Sequence, residues 1–511
     1  MKQINRRDFL KISSVLLGAT AFSQISYYSN NQSEKKSNVI ILVFDSMSAR
    51  HLSVYDYPRN TTPNFERFAQ RATVFHANYS AANFTTSGTA TILTGMYPWK
   101  HRALNAISMI DRDLVENNLF NLVGKNYFTV GFSQNYLANI FLSQFKSYLD
   151  WQLPPSSFHS ENKRPNFLFH IPKEDVMAYY ALDDYLSLVH QEVNPIPGSI
   201  SLGFLDTLVT HRQVEKEKPT EAFPYSKPSN SHFYFDNKTL FREIAKTIEQ
   251  LDHSSPFVGY FHFYAPHSPY SPHKDFVGIF EDMPLVKKPR HPLSIMKYPQ
   301  RVLKQNRDRY DEYIANVDAE FGNLLDYLES KGVLNNSFLV VAADHGELFE
   351  RDEVGHGTKL IYESVIHTPL IISAPKQEQR VDIYSNTCNA DIIPTLLHNI
   401  DSEIPAKLDG SVLPGLGGIE NKERSIFSMV AKESSSFQAL REATIALNKK
   451  NYKLIYYFGN EKYDQQFELF NLEEDPDELT NIVDTDIITA SRMKEELLTA
   501  LSEANRPYQK S

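Results

Sequence analysis

The chain has 511 residues and carries 52 Lys and Arg against 62 Asp and Glu, a formal charge of −10. An acidic chain lacks the basic stripe that a phosphate backbone calls for, which argues against a nucleic-acid partner. Hydrophobic residues at 41% and aromatics at 12% can fill sizeable cores and exclude global disorder, while the single Cys388 excludes an intramolecular disulfide and any multi-cysteine metal site.

The first 23 residues read as an address. Asn5-Arg6-Arg7-Asp8-Phe9-Leu10-Lys11 precedes an apolar stretch, Ile12 to Phe22, that falls short of the ~20 residues of a membrane span. Paired arginines ahead of such a stretch resemble a bacterial twin-arginine export signal, with Ala19-Thr20-Ala21 as the cleavage site. That resemblance implies the twin-arginine export machinery as a partner and a periplasmic or extracellular location. It also implies no membrane span once the signal is removed. Residues 24–37, rich in Ser, Asn and Lys, read as a linker.

At Asn38 the pattern changes. Val39-Ile40-Ile41-Leu42-Val43-Phe44 is a continuous apolar run, as expected of a strand buried on both faces, and it delivers Asp45 at its C-terminal end. Thr62-Pro63-Asn64 opens a short helix through Phe65, Phe68 and Ala69. A second buried run, 256–263, leads into Ala265-Pro266-His267-Ser268-Pro269. Apolar positions Tyr310, Ile314, Val317, Phe321, Leu324, Leu325 and Leu328 predict a long amphipathic helix over 307–331, feeding a third buried run, 337–343. That run ends in Asp344-His345-Gly346-Glu347. Strands alternating with helices predict an α/β fold with a large, mostly parallel sheet covered by helices on both faces. Ligands of such sheets sit at the C-terminal strand ends, where these acids and imidazoles collect.

The expected layout is a catalytic domain over 38–381 and a smaller α/β subdomain over 382–511. Residues 150–235, rich in Pro, Ser, His and aromatics, show little periodicity and read as an insertion that shapes the pocket. In the last part, strands are expected over 450–457 and 468–472 and a helix over 487–501.

The segment that decides the chemistry is Asn83-Phe84-Thr85-Thr86-Ser87-Gly88-Thr89-Ala90-Thr91-Ile92-Leu93-Thr94-Gly95-Met96-Tyr97-Pro98. Together with Asp45, Ala265-Pro266-His267, Asp344-His345-Gly346-Glu347, Tyr362-Glu363, Thr368-Pro369-Leu370 and Asp409-Gly410-Ser411, it resembles the sulfatase branch of the alkaline-phosphatase superfamily. In that branch a nucleophile opens a helix ten residues before the Gly of a Leu-Thr-Gly-x-Tyr-Pro tail; here that position is Thr85. The departures are as informative. Sulfatases oxidise a Cys or Ser to formylglycine there, and Thr85-Thr86-Ser87-Gly88-Thr89 offers neither residue at the first position nor the usual arginine. The Gly-Lys-Trp-His segment that binds sulfate in the family is replaced by Ser133-Gln134-Asn135-Tyr136. A threonine nucleophile is what phosphodiesterases and phosphoethanolamine transferases of the superfamily use, so the resemblance implies phosphoryl chemistry.

The implied function is an exported metal-dependent hydrolase or transferase that cleaves a phosphate mono- or diester through a phospho-threonine intermediate. A hydroxyl is a weak nucleophile near neutral pH and needs a metal or a base, and one divalent ion held by Asp45, Thr85, Asp344 and His345 answers that need. Histidine at 345 shifts the preference toward Zn²⁺ or Mn²⁺ over Ca²⁺. Asp206 and His211 come nearest to a second metal pair, but their spacing is wrong. His267 and His356 are the catalytic imidazoles, holding phosphoryl oxygens or protonating the leaving group. Lys359 is a further anion contact, whereas His76 and His101 read as structural and Cys388 as a small buried hydrophobe. The substrate is an anionic ester of a sugar, lipid or small molecule. Three alternatives stay open: a helix-capping role for Thr85 with Thr86 or Thr89 as nucleophile, a sulfatase working without formylglycine, and a degenerate member that only binds.

Overall fold

The computed structural model describes residues 36–159, 161–162, 219–230, 233–251, 256–280 and 283–508. The expected export signal, nearly all of the expected linker, most of the 150–235 segment, and Asp206 with His211 lie outside the described residues. Residues 36–511 make up a single unit. Among the described residues no helix is long and apolar enough to cross a membrane.

Eight runs form the main sheet: β1 Asn38–Phe44, β2 Thr73–Phe75, β3 Phe128–Ser133, β4 Trp151–Leu153, β5 Phe257–Phe263, β6 Ser337–Ala343, β7 Leu370–Ser373 and β8 Val381–Ile383. Their order is β8-β2-β7-β6-β1-β5-β3-β4, and every neighbouring pair is parallel except the two made by β7. β1, the most apolar run, sits in the middle with β5 and β6 beside it. The physical reason is that a strand covered on both faces cannot carry polar side chains on either without a cost in desolvation.

Side chains alternate between two cores. Ile40, Leu42 and Phe44 of β1, with Phe261 of β5 and Val341 of β6, pack against α1 Pro63–Ala69, α4 Asn237–Leu251 and α5 Gln300–Ser330. Val39, Ile41 and Val43, with Tyr260 and Val340, pack on the opposite side against α2 Thr85–Thr94, α3 Tyr136–Gln144 and α6 Ile392–Asn399. Full burial of one such Val, Ile or Phe side chain stabilises by ~1.5–3 kcal/mol. α5 starts at Gln300, ahead of the expected 307, because Pro299 occupies its N-cap and Leu303 joins the buried stripe.

Two glycines set the position of α2. Gly95 ends the helix with φ at +66°, a left-handed conformation that a side chain would strain. Gly88 passes so close to β6 that a Cβ there would lie 2.3 Å from the Asp344 carbonyl oxygen. Its missing side chain lets the start of α2 rest on the strand end.

A second sheet, antiparallel throughout, follows in chain order: β9 Ser425–Val430, β10 Ala443–Lys449, β11 Tyr452–Phe458 and β12 Gln466–Asn471. Helix α7, Ile487–Asn505, packs on it through Ala490, Met493 and Leu497. The boundary expected at 381/382 falls inside β8, which pairs with β2, and α6 also covers the main sheet. Arg424, just before β9, holds both carboxylate oxygens of Asp391 at 2.5 and 2.6 Å and ties the second sheet to the start of α6 through a forked ion pair.

Candidate active site

Period-two alternation places the central groups before any loop is considered. Asp45 continues the face that carries Val39, Ile41 and Val43, and Asp344 continues that of Phe338, Val340 and Ala342. His262 follows Val258 and Tyr260 on the same face, and the register sets it beside Val43. All three therefore emerge on the α2 side at the C-terminal edge. One ligand atom from each of Asp45, His262 and Asp344 lies within 4.8 Å of the others, all fully buried.

Hydrogen bonds orient the cluster. Ser46, held at φ 62°, donates its backbone N–H to Asp344 Oδ1 at 3.2 Å, and the His345 N–H donates to the same oxygen at 2.9 Å. Among the described residues Asp344 Oδ2 has no hydrogen-bond partner, and neither has His262 Nε2 at 3.6 Å from it. His262 Nδ1 sits 3.1 Å from the Tyr260 hydroxyl; with Nδ1–H donating there, Nε2 turns its lone pair toward the carboxylates. His345 Nδ1 faces the Gly346 carbonyl at 2.9 Å, so it carries the proton and Nε2 offers its lone pair. That Nε2 lies 3.3 Å from Thr85 Oγ1 and 3.5 Å from Asp45 Oδ1.

The electrostatics call for a cation. Burial, then the neighbouring Asp45 charge, holds the Asp344 carboxyl well above the usual carboxylate range. Burial pushes His262 down to about 4 and His345 well below the ordinary imidazole value, so both are neutral, lone-pair-bearing groups near pH 7. Two buried carboxylates facing neutral imidazoles, with two orphaned acceptor atoms between them, fit a divalent ion. The mixed oxygen and nitrogen donors suit a borderline metal.

Thr85 is the first residue of α2, after the extended Phe84, and is buried. Thr86 and Ser87 donate their hydroxyls to the Ala106 and Ala103 carbonyls at 2.5 Å, and Thr91 donates to the Ser87 carbonyl at 3.0 Å. The Thr85 hydroxyl instead meets His345 and the Asn135 side-chain amide, 3.4 Å away, which also donates to Asp45 Oδ2. His356 packs beside His345, ring centroids 4.2 Å apart and planes tilted by 43°, and the His267 ring lies 5.0 Å from that of His356. His356 Nδ1 faces Glu347 Oε1 at 3.1 Å. Burial raises the Glu347 carboxyl to about 7, and burial also lowers His356 well below its ordinary value.

The residues expected from sequence thus lie in one place: Asp45, Thr85, Asp344 and His345 in the cluster, His356 and His267 in a row beside it. Lys359 is not in the cluster: it is bound to Glu442 and to Asn460 Oδ1 at 2.9 Å. Sequence reading missed His262, Asn135 and Glu347. The signal for His262 was its parity with Val258 and Tyr260, which a continuous apolar run conceals; Asn135 stood in a segment valued only for the lysine and histidine it lacks. His101 is buried between Thr91 and the Ala103 N–H, away from the cluster.

A family model described as Sulfatase matches residues 37–402. The chain belongs to the sulfatase family. A second model, described as N-sulphoglucosamine sulphohydrolase, C-terminal, matches residues 353–506, across the antiparallel sheet. The chain is 22% identical to an arylsulfatase of Clostridium perfringens over 473 residues, covering 88% of this chain and 91% of that one. It is also 22% identical over 475 residues to a choline-sulfatase of Rhizobium meliloti, with 88% and 83% covered. Among solved structures it superposes on the phosphonate monoester hydrolase of Agrobacterium radiobacter with a TM-score of 0.65 at 18% identity, covering 92% of this chain and 96% of that one. Family membership makes this chain a sulfatase-type hydrolase, and the superposition shows the shared fold.

Proposed function

We propose that this sulfatase-family hydrolase is an exported, metal-dependent enzyme that cleaves a phosphate ester with Thr85 as nucleophile. The observation that carries the reading is the Thr85 hydroxyl, buried at the start of α2 and 3.3 Å from His345 Nε2, beside the Asp45, His262 and Asp344 cluster. An aldehyde hydrate, the sulfatase nucleophile, cannot be made from threonine by the oxidation that converts Cys or Ser.

Asp45, Asp344, His262 and His345 would hold the ion, Zn²⁺ or Mn²⁺ ahead of Ca²⁺, and when bound it supplies Lewis-acid activation of the threonine hydroxyl and of a substrate oxygen. Asn135 orients the hydroxyl and the Asp45 carboxylate together. The backbone N–H groups opening α2 favour an incoming anion. Thr85 gives up its hydroxyl proton to water as Oγ1 attacks phosphorus, the bond from phosphorus to the ester's alcohol breaks, and His267 donates the proton that the departing alkoxide needs, while the neutral His356 holds a phosphoryl oxygen through its N–H. Glu347 keeps the His356 ring turned toward the site. Water or a second alcohol then breaks the phospho-threonine bond.

A sulfate ester is the second reading, favoured by the family itself and by the arylsulfatase relative. The test is hydrolysis of p-nitrophenyl phosphate, bis-p-nitrophenyl phosphate and p-nitrophenyl sulfate by the exported form with Zn²⁺, Mn²⁺ or Ca²⁺. Phosphate-ester cleavage that falls by at least ~10³-fold in Thr85→Ala, with phosphate trapped on Thr85 in the parent enzyme, is the expected result. Cleavage of the sulfate alone would overturn the phosphoryl reading.

A further inference from the structure

The segment Ser133-Gln134-Asn135-Tyr136 leaves the site without a lysine from β3, and Lys359 is neutralised by Glu442. An ester anion entering above Thr85 still needs a cation on the side away from the carboxylates. Lys432, on the connection between β9 and β10, is half-buried, and its Nζ lies 4.3 Å over the ring of Phe84, the residue before Thr85. Its charge reaches both His345 and His356, adding to what holds their pKa values low. Burial pushes the Lys432 ammonium down to about 8, against an opposing pull from Glu433, so it remains mostly charged near neutral pH.

The same lysine lines a recess of about 70 Å³ between the 357–359 loop, which directly follows His356, and the antiparallel sheet. Thr444 on β10 also lines it, and its hydroxyl is buried with no hydrogen-bond partner among the described residues. A buried, unsatisfied hydroxyl is costly unless something polar enters the space.

We propose that Lys432 is the anion-binding cation of this site, holding a non-bridging oxygen of the substrate's ester group, and that the adjoining recess receives the alcohol part with Thr444 bonding one of its hydroxyls. This rests on the reading of Thr85 as the reacting residue. It assigns to the antiparallel sheet a direct part in substrate binding. A preorganised cation over a transferring group strengthens binding of the anion and stabilises charge that builds in the transition state.

The test measures binding of inorganic phosphate and of inorganic sulfate to the metal-loaded full-length enzyme by calorimetry, alongside kcat and KM for the p-nitrophenyl esters. The expected result is that the parent binds at least one of the anions and that Lys432→Met weakens it by about tenfold or more. The same variant should lower kcat/KM on the order of 10²-fold, with Lys432→Arg restoring most of both. Lys359→Met should change anion affinity much less. Anion affinity and kcat/KM within about twofold of the parent in Lys432→Met would overturn the inference while leaving the Thr85 reading intact. So would binding of neither anion, or a loss confined to Lys359→Met. Anion binding that depends on Lys432 in an enzyme cleaving none of the esters supports the inference and counts against the phosphoesterase reading instead.

Discussion

The floor of the site and its rim are built differently. Asp45, His262 and Asp344 stand on or directly after β1, β5 and β6, three adjacent parallel strands whose register and pleat fix each side chain. His267, His356, Glu347 and Lys432 stand on loops and on the connection between two strands of the antiparallel sheet. The floor gathers like charges that a divalent ion would reconcile; the rim gathers two imidazoles, a carboxyl and one lysine. On the proposed reading, strands hold what must stay rigid to bind an ion, and loops present what must suit a particular substrate.

Breaking the floor should have the largest effect. Asp344→Asn removes one carboxylate charge, and activity is expected to fall at least ~10³-fold together with bound metal, read by elemental analysis. His262→Ala should weaken metal affinity by about 100-fold. Full metal content in both variants would show that the cluster is no metal site. Breaking the rim should cost less: His356→Ala is expected to lower kcat roughly 10²-fold while metal content stays unchanged. A loss of metal in that variant would instead move His356 to the floor.

The contact between the two layers offers a smaller handle. Gly88→Ala must push α2 away from the Asp344 carbonyl, and a destabilisation of ~1–3 kcal/mol in urea unfolding is expected, with reduced kcat because Thr85 moves. Unchanged kcat in a folded Gly88→Ala enzyme would show that the helix start tolerates displacement. His101 sharpens the comparison from outside the site. Its imidazole is pushed down to about 3 by burial, like His262, yet no carboxylate forms an ion pair with it among the described residues; its Nδ1 accepts the Ala103 N–H at 3.1 Å. A histidine whose folded pKa is depressed contributes stability that is present above the unfolded value near 6.5 and lost as pH falls toward 3. Its loss below that unfolded value should approach ~1.4 kcal/mol per pH unit. His101→Gln should therefore show a shallower fall in urea midpoint between about pH 6.5 and 5 than the parent. Parallel curves would rule out a titrating role for this ring.

Much of the floor was legible in the chain. Apolar runs ending in Asp45 and Asp344-His345 state both the strand and the group it delivers, and the resemblance to the sulfatase branch, through its ten-residue spacing to Gly95, points to Thr85. His262 escaped because a run apolar on both faces shows no alternation, so the face on which a polar residue points becomes visible only with the β1 and β5 register. Asn135 escaped for a different reason: its partners Asp45 and Thr85 are 90 and 50 residues away in the chain. The start of α5 at Gln300 was hidden because its first turns carry few apolar positions.

By itself the sequence determined the parallel sheet, the acids and imidazoles at its C-terminal edge, and a threonine at the head of the segment that precedes Gly95. These follow from local pattern and residue chemistry, which need no neighbour to express themselves. Only the tertiary structure decided that His262 completes the carboxylate pair, that Glu442 occupies Lys359, and that Lys432 arrives over Phe84 from the second sheet. Those outcomes depend on register and on packing between segments far apart in the chain, where a one-residue slip in a strand would turn the side chain to the opposite face.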